Sequence, residues 1–298
     1  MENPALPVAD VCPSCGQSRE GKFCANCGEK RISPEDLTFK KFALQALDAF
    51  THFEGKFFKS FVLLLFFPGK LTVEYLSGRR VKLMKPAQLY VIVAIIFYFF
   101  FKSWDLFYEK TQYSLLDRYD ATTGTIIPIN PDNLKGFERA SYDRAVEKSA
   151  KKGLSLREYV LDADEKTQQR SKALVFIIIP LLSLFIYVTG FKKEKRFVPH
   201  LVHATHLFTF LLSAFITILG SYWLYARMTH VNIDGKVNGP LLVILITVMV
   251  YAFFSLKRVL QPRNIFYLSS YTVFVGLGFL VSLLSYRWIV SWWSIWVG

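Results

Sequence analysis

The sequence has little charge and few cysteines. Asp, Glu, Lys and Arg make up 20% of its 298 residues, below the roughly 25% of an average soluble domain. All four cysteines lie between residues 12 and 27, whereas a disulfide scaffold would scatter them through an exported domain. The first 35 residues are polar and include those cysteines, so no secretory signal peptide is read there. The chain has no nucleotide-binding glycine loop, no G-x-S-x-G and no H-E-x-x-H. Nothing therefore points to P-loop, α/β-hydrolase or zincin chemistry.

What is abundant is apolar. Hydrophobic residues make up 52%, Phe alone accounts for 28 residues, and the mean hydropathy is +0.29. Uncharged runs of about 17 to 25 residues recur in the second half, each long enough for a bilayer core. An ordinary soluble enzyme is excluded. The expected fold is an all-α polytopic membrane protein of about five transmembrane helices with a small N-terminal cytoplasmic zinc ribbon. The spans are expected at 86–104, 172–191, 200–226, 239–256 and 265–286. Pro180 interrupts the second, and Lys102 near the end of the first can snorkel to the headgroups. No carboxylate lies within any of the five, which weighs against proton-coupled transport.

Ahead of the first span the reading is a disordered leader and zinc ribbon over 1–32, then interfacial helices and a basic segment over 33–85. Ser33-Pro34-Glu35-Asp36 has the form of a helix start, with Ser at the N-cap and Pro at N1. Phe39, Phe42, Ala43, Ala46, Phe50 and Phe53 follow at helical spacing, which predicts an amphipathic helix on the membrane or on the protein. Phe57 to Phe67 is apolar but ends at Pro68-Gly69. As a helix it would reach only about 16 Å, so it is read as interfacial or re-entrant. Residues 105–171 form an extracytoplasmic domain, and Ser155-Leu156-Arg157-Glu158 has the form of a capping box that starts a helix running toward span two.

The net charge of +13 is spread over short loops beside apolar runs rather than gathered on one soluble face. Nucleic acid is therefore not an expected partner; the charge encodes topology. Arg79, Arg80, Lys82 and Lys85 precede span one. Lys192, Lys193, Lys195 and Arg196 follow span two, and Lys257, Arg258 and Arg263 follow span four. All three groups fall on one face, which is then cytoplasmic. The N-terminus is inside and the C-terminus outside, where Trp288, Trp292, Trp293 and Trp296 form an aromatic belt.

Cys12-Pro13-Ser14-Cys15-Gly16 and Cys24-Ala25-Asn26-Cys27-Gly28 are two C-x-x-C-G knuckles. Each pair can grip one ion, and the glycine permits the tight turn that aims amides at the thiolates. Cys12, Cys15, Cys24 and Cys27 predict one structural zinc ion in a closed tetrahedral site, with the sulfurs within about 4 Å of one another. Rubredoxin-type iron, disulfides and free redox thiols are the rivals. So small a module needs the metal for its folding energy. His200, His203 and His206 open span three and form a second candidate, an intramembrane polar site for a metal or a proton relay. The alternative is simple hydrogen bonding to neighbouring helices. Lys70, Arg79, Arg80, Lys82 and Lys85 are candidate contacts for anionic lipid. Gly276 and Gly278 are read as close-packing positions.

The double C-x-x-C-G ribbon, then Pro68-Gly69-Lys70, Tyr75, Gly78-Arg79-Arg80 and Pro86, resembles the bacterial proteins grouped as domain of unknown function 3667. The resemblance runs over about residues 11–100, extends more loosely over 192–215 where His200 to His206 lead into a Phe-rich span, and is absent from the outer domain. It implies a bacterial inner-membrane protein with a cytoplasmic zinc ribbon, and it implies no activity. The favoured function is therefore interaction, scaffolding or regulation, with membrane lipid and a protein docking through the ribbon as partners. A transporter or channel using His203 and His206 is the alternative. A membrane enzyme acting on lipid comes third, because no catalytic pair is visible.

Overall fold

The computed structural model describes residues 11–18, 21–31, 38, 56–101, 116–120, 125–229, 238–262 and 264–296. The leader, the amphipathic helix expected from Ser33, and Lys102, Lys236 and Arg263 lie outside the described residues. Two compact units share the chain. One comprises residues 1–100 and 182–276, the other residues 101–181 and 277–298.

The first unit opens with the cysteine module and then α1, Lys56–Phe66. Phe57, Ser60 and Leu64 recur at helical spacing and are its buried face. Pro68 lacks the N–H that would continue the helix, and Gly69 takes the left-handed conformation at φ 72°. A short helix α2, Lys70–Leu76, follows and buries Leu71, Thr72 and Tyr75. Gly78, at φ 93°, starts the turn that leads to α3, Pro86–Phe100. Proline at the first helical position gives up no internal hydrogen bond there.

The long helix of this unit is α7, Phe197–Thr229. Its N-terminal half is buried almost all round, from Val198 to Phe215. Thr205, Thr209, Ser213, Thr217 and Ser221 stand four apart, and each hydroxyl donates to the carbonyl four residues back at 2.6–2.9 Å. That pairing satisfies the hydroxyls without water, as an apolar surrounding demands. The small side chains also admit neighbours. Tyr90 and Phe97 of α3 pack on Phe208 and Phe215 at ring separations of 5.9 and 6.2 Å. Helix α8, Asn238–Leu260, stacks Tyr251 on Phe210 at 3.5 Å. The last helix, α9, spans Ile265–Trp296. Its Gly276 lets Met249 of α8 approach, since a Cβ there would lie 3.2 Å from the Met249 sulfur. The close-packing role read for Gly276 is what the structure shows.

The second unit holds an antiparallel hairpin, β1 Asp117–Asp120 with β2 Thr125–Pro128. Two helices follow, α4 Gly136–Lys152 and α5 Leu156–Leu174. Gly153 at φ 67° joins them, and the capping box at Ser155 and Glu158 is fully formed. Ala145, Tyr159 and Val160 make a small core with Leu116, Tyr142 and Leu156 packed around it. Arg157 donates to both carboxylate oxygens of Asp117 at 3.0 Å, which ties α5 to β1. Tyr286 donates to the Ser171 carbonyl at 2.7 Å, and Trp288 packs on Phe137 at 6.3 Å.

One expectation needs correction. The described part is predominantly helical, but the 117–128 hairpin departs from an all-α fold. The alternation at Asp117–Asp120 is too polar to read as a strand without its partner. The membrane helices also divide by length. Helices α7, α8 and α9 are long and apolar enough to cross a bilayer. Helix α3 has 15 residues, about 22 Å against a core of about 30 Å. The second expected span is a 3₁₀ turn, Val175–Ile177, leading into α6, Ile178–Gly190. Pro180, the third residue of α6, has no N–H to continue the α-helical ladder back into that turn. Three long spans and two shorter apolar helices thus stand where five full spans are expected.

Candidate metal centre and its docking turn

Each knuckle is built the same way. The Cys12 N–H donates to the Gln17 carbonyl at 2.8 Å and the Gly16 N–H to the Cys12 carbonyl at 2.9 Å. In the second knuckle Cys24 donates to Glu29 at 2.9 Å and Gly28 to Cys24 at 2.8 Å. Gly16 and Gly28 stand at φ 78° and 72°, a conformation that a Cβ would strain. The Val11–Ser18 and Phe23–Lys30 bridges close the two loops. The four sulfurs come together between them. Cys12 and Cys27 lie 3.6 Å apart, as do Cys15 and Cys24, and all four sulfurs fall within 4.8 Å of one another. A tetrahedral site with metal–sulfur bonds of about 2.3 Å needs edges of about 3.8 Å. The two pairs at 3.6 Å already stand close to that edge length. Cys12 and Cys24 are buried, with Cys15 and Cys27 half-buried.

The thiols share charge unequally. Cys15 is lowered to about 6, chiefly by the backbone N–H of Gln17. Cys27 is pushed up to about 12; the N–H of Glu29 lowers it, but burial and the sulfurs of Cys15, Cys12 and Cys24 outweigh that. A bound cation would remove the repulsion from neighbouring sulfurs that raises Cys27.

One residue absent from the sequence reading joins this module to the rest of its unit. Glu29 is 2% exposed. Its Oε2 accepts from Ser14 Oγ of the first knuckle at 2.5 Å. It also accepts the backbone N–H groups of Arg80 at 2.8 Å and Val81 at 2.9 Å. Buried carboxylates persist only when so paired. A single glutamate after a knuckle is unremarkable in sequence, and nothing there reveals a partner 51 residues away.

The basic residues meet different fates. Lys70 pairs with Glu74 at 4.0 Å and lies 5.0 Å from the Phe67 ring. Arg80 covers the Tyr75 ring at 4.4 Å and donates through Nε to the Tyr75 carbonyl at 3.0 Å. Arg79 and Lys82 are exposed, and Lys85 is half-buried. Arg258 donates to the Pro68 carbonyl at 2.7 Å. Lys193 donates to the Leu260 carbonyl at 3.1 Å, capping the end of α8 as a cation should. The groups near 70, 193 and 258 are thereby gathered in one region of the unit.

The three histidines point inward and part company. His200 Nε2 donates to the Glu194 carbonyl at 2.9 Å, and its ring packs edge-on to Tyr187 at 5.3 Å. His203 Nε2 is hydrogen-bonded with Ser255 Oγ at 2.8 Å, and His206 Nδ1 with Thr72 Oγ1 at 2.8 Å. The sequence pattern contained the histidines but neither hydroxyl partner. Among the described residues the four cysteines are the one group that brings three or more ligating side chains together.

A family model described as a protein of unknown function (DUF3667) matches residues 54–98. That segment holds α1, α2, the docking turn and nearly all of α3. It includes Thr72, Arg80 and Val81, and it excludes their partners His206 and Glu29. The match is narrower than the resemblance over 11–100. No curated protein and no solved structure matches the chain.

Proposed function

We propose that the chain is a bacterial inner-membrane protein whose cytoplasmic cysteine module holds one structural zinc ion, with a role in interaction or regulation. The observation that carries the reading is the closing of the Cys12, Cys15, Cys24 and Cys27 sulfurs to within 4.8 Å, in a chain whose α7, α8 and α9 are long enough to cross a membrane. Four thiolates leave no open position, so the metal shapes rather than catalyses. Zinc is favoured over iron because a reducing cytoplasm keeps the thiols available and zinc needs no redox partner. The ribbon has nothing but metal to replace an apolar core, and Glu29 then carries its position to the turn ahead of α3.

Membrane lipid is a partner through Lys70, Arg79, Arg80, Lys82 and Lys85, and a protein docks through the ribbon. With the basic loops cytoplasmic, the N-terminus lies inside, residues 105–171 outside, and the C-terminus outside. Three crossings and five crossings both place the ends on opposite faces, but only five put residues 105–171 outside; with α7, α8 and α9 alone they stay on the N-terminal side. Elemental analysis of the purified full-length protein tests the metal reading. One zinc per chain is expected, and well under one metal of any kind would overturn it. A second reading, transport, has one observation in its favour. His203 Nδ1 and His206 Nε2 are buried with no partner among the described residues, as a polar path through a bundle would require.

A further inference from the structure

The turn between α2 and α3 holds the Glu29 carboxylate as a receptor holds an anion. Two successive amides, of Arg80 and Val81, meet one oxygen at 2.8 and 2.9 Å, although the Arg80 amide also reaches the Gly78 carbonyl at 3.1 Å. Consecutive N–H groups aimed at one point form an anion-binding concavity. The surroundings are cationic. Arg79 and Lys82 flank the amides and are exposed. Arg80 spends Nε on the Tyr75 carbonyl, and its Nη2 is buried with no partner among the described residues. The occupant comes from elsewhere in the sequence. Glu29 is placed by the second knuckle, where its carbonyl accepts the Cys24 N–H at 2.9 Å and Cys27 lies two residues before it.

We propose that Arg79–Lys82 is a binding turn for the phosphate of an anionic phospholipid, filled by Glu29 while the cysteine module holds its metal and released when the metal is lost. The gating half rests on the metal reading above. A phosphate offers the same two amides an oxygen and has further oxygens for Arg80 Nη2 and for the Arg79 and Lys82 side chains. A membrane phosphate is favoured over a soluble one by place. The turn runs directly into Pro86 and the apolar helix α3, where headgroups meet a membrane-embedded segment.

The test uses the full chain in neutral detergent and counts bound lipid by native mass spectrometry. Phosphatidylglycerol, phosphatidylcholine and inorganic phosphate are the three probes, and metal content is measured on the same samples. Metal-loaded wild-type protein should bind phosphatidylglycerol weakly. Chelation, or Glu29→Ala with its metal retained, should strengthen that binding roughly tenfold, the worth of one strong hydrogen bond to a charged group. Phosphatidylcholine binding should stay unchanged. Adding Arg79→Gln and Lys82→Gln should remove the gain. Equal phosphatidylglycerol binding by loaded wild type and metal-containing Glu29→Ala would overturn the proposal. Competition by millimolar inorganic phosphate would overturn the lipid as ligand. Wild-type protein that purifies without metal would sink the metal reading and the gating half with it, and Glu29→Ala compared with that metal-free wild type then decides whether Glu29 fills the turn. The chelation arm needs no substitution, so a misfolded variant does not leave the question open.

Discussion

A Cβ built on Gly69 would lie 2.8 Å from the carbonyl oxygen of Ser255 and 3.0 Å from its Cα. The start of α2 thus rests directly on the backbone of α8, five residues before α8 ends at Leu260. Backbone cannot swing aside as a side chain can. Gly69 also stands at φ 72°, so two penalties fall on one atom. Gly69→Ala should destabilise the protein by roughly 2–4 kcal/mol, the left-handed cost plus overpacking. Gly153→Ala is the control, because Gly153 shares the left-handed conformation at φ 67° but has nothing within 4 Å; it should cost only about 1–2 kcal/mol. Thermal unfolding of both variants in detergent measures the difference. Equal losses would mean that α2 does not sit on Ser255.

Removing one ligand should undo the module without undoing the membrane part. Cys15→Ser should lose the metal and unfold residues 11–30, since burial alone cannot hold so small a fold. Glu29 then leaves the amides of Arg80 and Val81. The turn around Arg79, Arg80 and Lys82 is rich in trypsin sites, and cleavage there should become faster than in wild type. Elemental analysis and timed trypsin digestion read the two effects. Lost metal with unchanged cleavage would separate the module from the turn.

Orientation is open to a direct measurement. Alkaline phosphatase fused at residue 140 should be active and fused at residue 195 inactive, if the basic segments are cytoplasmic. Reversed activities would invert the protein. Equal activities would mean that α6 with its 3₁₀ turn does not cross, the outcome its shortness makes most informative.

The sequence was legible where one segment carries its own signal. The long spans announce themselves by composition, the Ser155–Glu158 capping box by residue types at fixed spacing, and the cysteine knuckles by pattern. What stayed hidden was pairing between distant segments. Glu29 with Val81, Thr72 with His206, and Ser255 with His203 join residues 52, 134 and 52 positions apart, and none has a local signature. The hairpin at 117–128 failed for the same reason, since a polar strand is defined by its partner. Composition alone also does not reveal the 3₁₀ turn at Val175–Ile177 within the second expected span.

The loop between α6 and α7 should carry a pH dependence. Arg196 donates to Glu194 at 2.8–2.9 Å through its guanidinium and again through its backbone N–H at 2.9 Å. The Arg196 side chain is the main reason that the Glu194 carboxyl is lowered to about 2 from its usual 4.5. A carboxyl lowered on folding stabilises the folded state above its unfolded value, and that contribution fades as pH falls from about 4.5 towards 2. Glu194→Gln should therefore flatten the acid limb of a pH–stability curve in that window and leave pH 7–8 behaviour without a slope change. The effect is small, because Arg196 is 59% exposed and water screens the pair. An identical acid limb in the variant would show that the pair does not persist in solution.

The last prediction separates packing from chemistry at the histidines. His203 and His206 are both nearly fully buried, and each reaches a hydroxyl on a different helix. If these bonds only join helices, the energetics should be pairwise. Double-mutant cycles for Thr72→Ala with His206→Ala and for Ser255→Ala with His203→Ala should each give a coupling of about 1 kcal/mol, the usual scale of a hydrogen bond between membrane helices. The crossed cycles, Thr72 with His203 and Ser255 with His206, should give almost none, because additivity holds where no partner is shared. A relay would behave otherwise. Joined through their free nitrogens, the two imidazoles would couple all four groups, and the crossed cycles would approach the direct ones. Function then has its own readout. A His203→Ala/His206→Ala protein at normal abundance that fails to rescue a deletion strain supports a role in transport. Full rescue at normal abundance removes one. The separate partners, Thr72 on α2 and Ser255 on α8, favour pairwise coupling and rescue.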